Sequence, residues 1–478
     1  MAQYLKLVHT DTTGGGSSTT TIDLLGGTLQ LRENGWETTD NEDGENSIFE
    51  TIDLLSTAGD AAILTAKANL DEILEIAKQY TKNNLRSDPV WLYFQAEGEA
   101  AKRALVKSGR SVLTTEGCLG PLLGTDRTIL RVVIERVPYW ENEDSLMTIK
   151  TNLHNLGDWA SIGHDLGTLP QRIQQLKVTS DETGVSTDIN RVWIGIRPTY
   201  KSSGGFTATW ECELGWITGG TATASGTASG GYYINNIIAD GPLDNPTLMI
   251  SRLHLPLGNI VTDYDDYESY IGRYIVLLRC KINAASDEIA LQLHHGWGRY
   301  FTPGTEIAGS AFLTGSAYTD WQLVELGEIE IPPTGNRDNF ATTGDRLLSY
   351  ALNLHAQRVS VAGNLDVDCF VLIPSEHLVT ANGASLSGTG DVGPLYFVTE
   401  PQNNQYAVCS IGNTTHAGVL TPNMENVEFT FHDWFYPVQG GIVVVAGQAT
   451  NSSNLNVDLD LEFTLIPRWR TYRTATVT

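Results

Sequence analysis

The chain has 478 residues, and its 30 Lys+Arg against 56 Asp+Glu give a formal net charge of -26. A field of that sign repels phosphates and anionic lipid, arguing against nucleic acid and membrane insertion as partners, and no apolar run approaches the ~20 residues of a membrane span. Hydrophobic content of 41% excludes wholesale disorder, and 47 glycines suit a chain of many short strands and turns.

The opening MAQYLKLVHTDTTGGG has no apolar signal core, so no secretory leader is expected. Strands are predicted at Tyr4–Val8, Thr20–Leu25 and Thr28–Leu31. Glu33, Glu37, Asp40, Glu42, Asp43, Glu45 and Glu50 follow with no basic residue among them. They read as a solvated acidic loop, or alternatively as a charged contact surface or cation site. A strand at Ser47–Leu55 leads into the one convincing amphipathic helix, Ala61–Tyr80, with Asp60 placed to cap it. Ile63, Ala66, Leu70, Ile73, Leu74 and Ala77 recur on one face at helical spacing. Lys78 and Lys82 suit the negative end of its dipole. Such a helix spans about 30 Å, enough to cross one face of a sheet. Strands at Val90–Gln95, Ala104–Val112 and Thr128–Val137 close a first unit, residues 1–145.

A second unit, 146–382, carries strands at Ile173–Val178, Val192–Ile196, Thr207–Leu214, Thr247–Leu253, Arg273–Ile282, Ile289–His294, Trp321–Glu330, Ser349–Val359 and Leu365–Ile373. Their regular spacing predicts a two-sheet sandwich of jelly-roll type. The low-complexity TGGTATASGTASGG at Thr218–Gly231 reads as a mobile loop. A smaller C-terminal β module, 383–478, ends in the clearest strand of the chain: Leu455, Val457, Leu459, Leu461, Phe463 and Leu465 alternate with polar residues.

Chemistry-bearing residues are few. Asp263, Asp265 and Asp266, with Glu268, crowd into VTDYDDYESY. Facing carboxylates can hydrolyse glycosides or, with loop carbonyls, hold calcium, the one metal entertained; a solvated loop is the simpler reading. His294 and His295 are adjacent on a strand, so they point to opposite faces and cannot simply clamp one metal. Asp366 and Asp368 share a face expected to be outward and solubilising. Trp297, Arg299 and Tyr300, with Phe301, sit in HHGWGRYF, read as a glycine-flexed turn. There, aromatic rings could stack on sugars while Arg supplies hydrogen bonds; the alternatives are a plug for the end of the sandwich and a protein contact. The five cysteines are scattered without zinc spacing and are expected to be buried reduced thiols. No GxSxG, P-loop or HExxH occurs, and no catalytic residue or enzymatic activity is assigned.

The strands YLKLV and TIDLLGG, the stretch IFETIDLLSTAGDAAILTAKANLDEILEIAKQY, PVWLYFQ and the closing TILRVVIERVPYWEN resemble the tail-tube-like domain of long-tailed phage distal tail and minor tail proteins. The stretch from Asn426 to Arg473 is similar to the β module that follows it, and YIGRYIVLLRCKI, WQLVELGEIEIPP and LDVDCFVLIP resemble galactose-binding-like jelly rolls inserted in enlarged members. The resemblance implies a mainly β virion protein assembled in the host cytoplasm into a homo-oligomeric ring near the tail tip. Other tail proteins would be its neighbours, and host-surface glycan a further partner. In that reading the helix residues Ile63, Leu70, Ile73 and Leu74 form the packing stripe. A glycan-binding decoration protein without a ring role, or a carbohydrate-active hydrolase using the 263–268 carboxylates, are the alternatives.

Overall fold

The computed structural model describes residues 4–469 apart from 13–15, 41–46, 84, 86–87, 117–126, 143–146, 154–155, 163–168, 181–188, 199–205, 218, 239–246, 256–268, 300–305, 332–347, 360–363, 387–394, 401–402, 412–424, 430–440 and 450–458. The fold is mainly β, with one long helix and several antiparallel sheets.

Its first stretch runs β1 (Tyr4–Asp11), β2 (Ser18–Asp23), β3 (Leu29–Asp40), β4 (Ile48–Ser56), α1 (Asp60–Thr81), β5 (Val90–Gln95), β6 (Lys102–Glu116), β7 (Arg127–Arg136) and β8 (Trp140–Asn142). The long β6 serves two sheets. Its first residues pair with β5, in the order β2-β1-β5-β6, and the rest pairs with β7, in the order β6-β7-β4-β3. Helix α1 packs against β6, and its apolar stripe is removed from water: Ile63, Leu70, Ile73 and Leu74 are at most 2% exposed, joined by Ala77 and Tyr80.

Two expectations for this region are corrected. Gly59, at φ 88°, holds the N-cap position, and Asp60 is already the first helical residue; the chain enters the helix through left-handed backbone that glycine adopts without strain. The acidic stretch is a strand as far as Asp40, not a loop. Asn34, at φ 56°, lies in the register shift between Leu31 and Trp36. Glu50 is buried, accepting hydrogen bonds from Trp36 Nε1 and Thr38 Oγ1, each at 2.7 Å, and pairing with Arg136 at 2.6 Å. The balancing base comes from another strand, so local charge counting misses it. Glu42, Asp43 and Glu45 lie outside the described residues.

The chain continues through β9 (Met147–Leu153), β10 (Trp159–Ile162), β11 (Leu169–Ser180) and β12 (Ile189–Pro198). Then come β13 (Thr209–Glu211), β14 (Trp216–Ile217), β15 (Thr221–Ala224), β16 (Tyr232–Ile238), β17 (Leu248–Leu255) and β18 (Gly272–Ile282). Next are β19 (Glu288–Arg299), β20 (Glu306–Thr314), β21 (Gln322–Ile331), β22 (Leu348–Arg358) and β23 (Asn364–Pro374). The last are β24 (His377–Leu386), β25 (Leu395–Glu400), β26 (Asn403–Ile411), β27 (Glu425–Phe429), β28 (Gly441–Ala449) and β29 (Leu459–Trp469).

Strands β13 to β23 form one sandwich. The sheet β15-β16-β23-β18-β21, with β13 beside β23, packs on β14-β17-β22-β19-β20. Its core includes Val276, Leu278, Leu293, Leu352, Leu354, Phe370 and Leu372. This sandwich is nested within other sheets, because β12 pairs antiparallel with β24 and Ile196 lies opposite His377. The second layer is β10-β28-β12-β24-β27, while β11 and β29 join β9, β25, β26 and, through β8, the first stretch. The division expected between 382 and 383 therefore falls inside β24, and strands from both sides of it share sheets.

Two contacts lock these parts together. At Gly195 a Cβ would run into the Pro374 carbonyl, so β12 lies directly on the end of β23. At the chain's other junction Arg468 pairs with Glu141 at 3.2 Å, both side chains at most 2% exposed, and the guanidinium lies 3.8 Å over the Tyr139 ring. No described helix is long and apolar enough to cross a membrane.

Candidate functional site

Among the described residues, those singled out from the sequence lie on separate elements, the packing stripe on α1 and Trp297 and Arg299 on β19. Trp297 and Arg299 are the closing residues of β19, with Tyr350 and Leu348 as backbone partners, so the expected turn at 294–299 is strand. Tyr300, and the carboxylates Asp263, Asp265 and Asp266 with their calcium alternative, lie outside the described residues.

The histidines do face opposite sides of β19. His295 points inward. Its Nδ1 is 2.7 Å from the Tyr350 hydroxyl, which donates to the Glu330 carbonyl at 3.1 Å. That relay places a proton on Nδ1, and burial holds the imidazole pKa below its ordinary value.

His294 points outward into a polar field. Its Nε2 is 2.9 Å from Gln292 Oε1, and its ring stacks on His355 with centroids 4.0 Å apart. Burial lowers its pKa, so the ring is neutral at pH 7. The register puts Asn353 directly opposite His294, and His355 opposite Gln292. Opposite residues of an antiparallel pair share a face with Cβ atoms about 5 Å apart. On the other flank Ile307, Ser310 and Phe312 of β20 lie opposite His294, Gln292 and Ala290 on that same face.

This outer face is graded in exposure. On edge strand β20, Ile307 is 59% and Phe312 54% exposed; on β22, Asn353 is 0% and His355 2% exposed. Gln292 and His294 lie between, half-buried. Neither side-chain atom of Asn353 has a hydrogen-bond partner. The sequence carries a signal for this patch: in LNLHAQR the core residues Leu352, Leu354 and Ala356 alternate with Asn353, His355 and Gln357. Amides and imidazole stand where a solvated face usually carries charge.

A second polar cluster lies on β23. Asp366 and Asp368 are 2% and 0% exposed, which corrects the expectation of an outward solubilising face. The cover over Asp368 is the glycine-rich stretch read as a mobile loop, which instead forms β15 and a tight turn at Ser229–Gly231. The Ser229 N–H donates to both Asp368 carboxylate oxygens, at 3.0 and 3.1 Å, and its hydroxyl donates to Glu211 Oε1 at 2.6 Å. Arg279 pairs with Asp368 at 2.5 Å and also donates to the Thr227 carbonyl. Asp366 pairs with Lys281 at 3.6 Å.

Glu211, Asp368 and Cys369 present ligand-type atoms within 4.8 Å of one another. However, Arg279 and Ser229 already engage the carboxylates, and burial pushes the Cys369 thiol well up, keeping it protonated. The cluster pins the turn onto the sheet. Cys212, Cys280 and Cys369 are buried free thiols in the core, as expected.

No family model matches the chain, and no curated protein matches it. Among solved structures it is similar to the crystal structure of insecticidal delta-endotoxin Cry8Ea1 from Bacillus thuringiensis, at 12% identity and a TM-score of 0.19. That match covers 78% of this chain and 52% of the other, so the chain spans about half the toxin's length. A likeness that slight carries no argument.

Proposed function

We propose that the chain is a non-enzymatic structural component of a phage virion tail, a ring subunit near the tail tip whose inserted sandwich meets host-surface glycan. The observation that carries the reading is the arrangement of its first stretch. Among the described residues β2 pairs only with β1, and β3 only with β4, so the layer covered by α1 ends in two open strand edges. An open edge must be paired or shielded. Ser18, Thr19, Thr20 and Thr21 of β2 are exposed and uncharged, suiting main-chain pairing with a second copy. A β2 edge meeting a neighbour's β3 edge is a head-to-tail contact, and repetition closes a ring if the rotation per subunit permits.

Light scattering of the full chain tests this. A discrete oligomer is expected, and Thr19→Lys with Thr21→Lys should dissociate it while leaving the circular dichroism unchanged. A wild-type chain that stays monomeric at high concentration would refute the ring.

A further inference from the structure

We propose that the outer face of the β14-β17-β22-β19-β20 sheet is a binding site for a neutral saccharide, recognised by Gln292, His294 and Asn353 beside the exposed Phe312. The inference deepens the glycan-contact part of the reading above and rests on it. It places the contact on a sheet face instead of at the strand-end aromatics.

Charge selects the ligand class. The polar groups that converge here are the Gln292 and Asn353 amides and the stacked rings of His294 and His355, and burial keeps the His294 imidazole neutral. The amides and the His294 ring offer hydrogen-bond donors and acceptors without net charge, which suits vicinal hydroxyls. A carboxylate, phosphate or ammonium would have to be desolvated here with no counter-ion among these groups.

The gradient supplies the second argument. The face descends from exposed Phe312 and Ile307, through half-buried Gln292 and His294, to buried Asn353. Two strand spacings, about 10 Å, separate Ile307 from Asn353 through His294. Phe312 stands opposite Ala290, about 13 Å further along the strand, so the face matches a short oligosaccharide. The negative face of Phe312 suits the C–H side of a sugar ring, whose hydroxyl edge would reach Gln292, while the next ring of an oligomer would reach His294 and Asn353. Ligand sites commonly combine an apolar wall with a few placed polar groups in this way.

The third argument is energetic. A buried amide with no partner costs about 1–3 kcal/mol, and leucine at this position would remove that cost. Asn353 has both its donor and its acceptor unused at 0% exposure. A ligand hydroxyl would satisfy both.

The experiment is calorimetry and saturation-transfer NMR on the full chain. The probes are glucose, galactose, N-acetylglucosamine and their short oligomers, with glucuronate and glucosamine as charged controls. The neutral sugars should bind in preference to the controls, and His294→Ala and Phe312→Ser should each weaken binding about tenfold. Asn353→Leu should weaken it similarly while Tm stays the same or rises, a combination that a purely structural Asn353 would not produce.

Binding that survives all three variants, or is lost only where Tm falls, overturns the inference. So does a wild-type chain that binds none of these sugars. Loss on Trp297→Ala alone moves the glycan site to the strand end, overturning the sheet-face site while keeping the glycan reading. Oligomeric state measured on the same sample separates the two proposals: a ring that binds no sugar leaves assembly standing, and a monomer with face-dependent binding removes the ring alone.

Discussion

At the scale of single residues, buried charge is where this chain carries most energetic risk. Arg279 and Asp368 are 5% and 0% exposed, and the guanidinium also lies 4.8 Å over Trp321. Removing one partner of such a pair leaves an uncompensated charge, so Arg279→Ala should cost about 3–5 kcal/mol in urea denaturation. The pH dependence has a definite sign. Burial already raises the Asp368 pKa above 3.8, against the lowering pull of Arg279. Without Arg279 it rises further. A raised folded-state pKa gives stability that is complete below the unfolded value and is lost as pH climbs through the folded one. The deficit of Arg279→Ala should therefore be largest at neutral pH and shrink as pH falls toward 4; a deficit that grows on acidification would contradict this reading. Of this cluster the sequence made only the aspartates visible. Arg279 and Ser229 are 89 and 139 residues away from Asp368, and no local pattern pairs them.

At the scale of elements, legibility followed periodicity. The apolar stripe of α1 needs only 3.6-residue spacing, and Val90–Gln95 shows its strand character residue by residue. Those elements were readable because burial on one face is a local property. Strand β3 is hidden because its Glu33 and Glu37 are exposed and the stretch carries no apolar alternation, while the one buried carboxylate of the stretch, Glu50, lies on β4 and takes its partner Arg136 from β7. Thr218–Gly231 is hidden from local patterning for a related reason: its anchors are N–H and hydroxyl groups, not bulky side chains, and their partners are distant carboxylates. The helix gives a sharp test. Leu70 is 0% exposed and Leu64 56%. Leu70→Ala should cost about 2–5 kcal/mol through lost burial and a residual cavity. Leu64→Ala should stay within about 0.5 kcal/mol. Equal midpoint shifts in denaturant would mean that the stripe does not face the sheet. Leu70→Asp should go further and prevent folding of the first stretch, or ring formation with it, by burying an unpaired charge.

At the scale of the whole molecule, the nested order of the sheets is the feature that sequence patterning hides. Strand periodicity cannot say that residues 147–198 share sheets with residues 377–469, because the pairing partners are set by packing and not by neighbours in the chain. The nesting predicts how separable the inserted sandwich is. Ile196 and His377 are directly opposed, so residues 197–376 could be replaced by a two-residue Asn-Gly turn with no strain at the splice. Geometry alone would predict a clean excision. Packing argues the reverse. Strand β28 is buried on both faces: Ile442, Val444 and Ala446 belong to the same core as the inserted sandwich, together with Trp193 and Leu378, while Val443 and Val445 are buried on the other side. Exposing those five core side chains forfeits about 1.5–3 kcal/mol for each large one, which matches the whole stability of an ordinary domain, about 5–15 kcal/mol. The excised chain should therefore aggregate or bind a hydrophobic dye strongly and melt well below the parent. Adding Trp193→Thr, Ile442→Thr and Val444→Thr should recover solubility without restoring sugar binding. A simple excision that is soluble, dye-negative and as stable as the parent would mean that the inserted sandwich is a detachable module and that its core stops at Pro374.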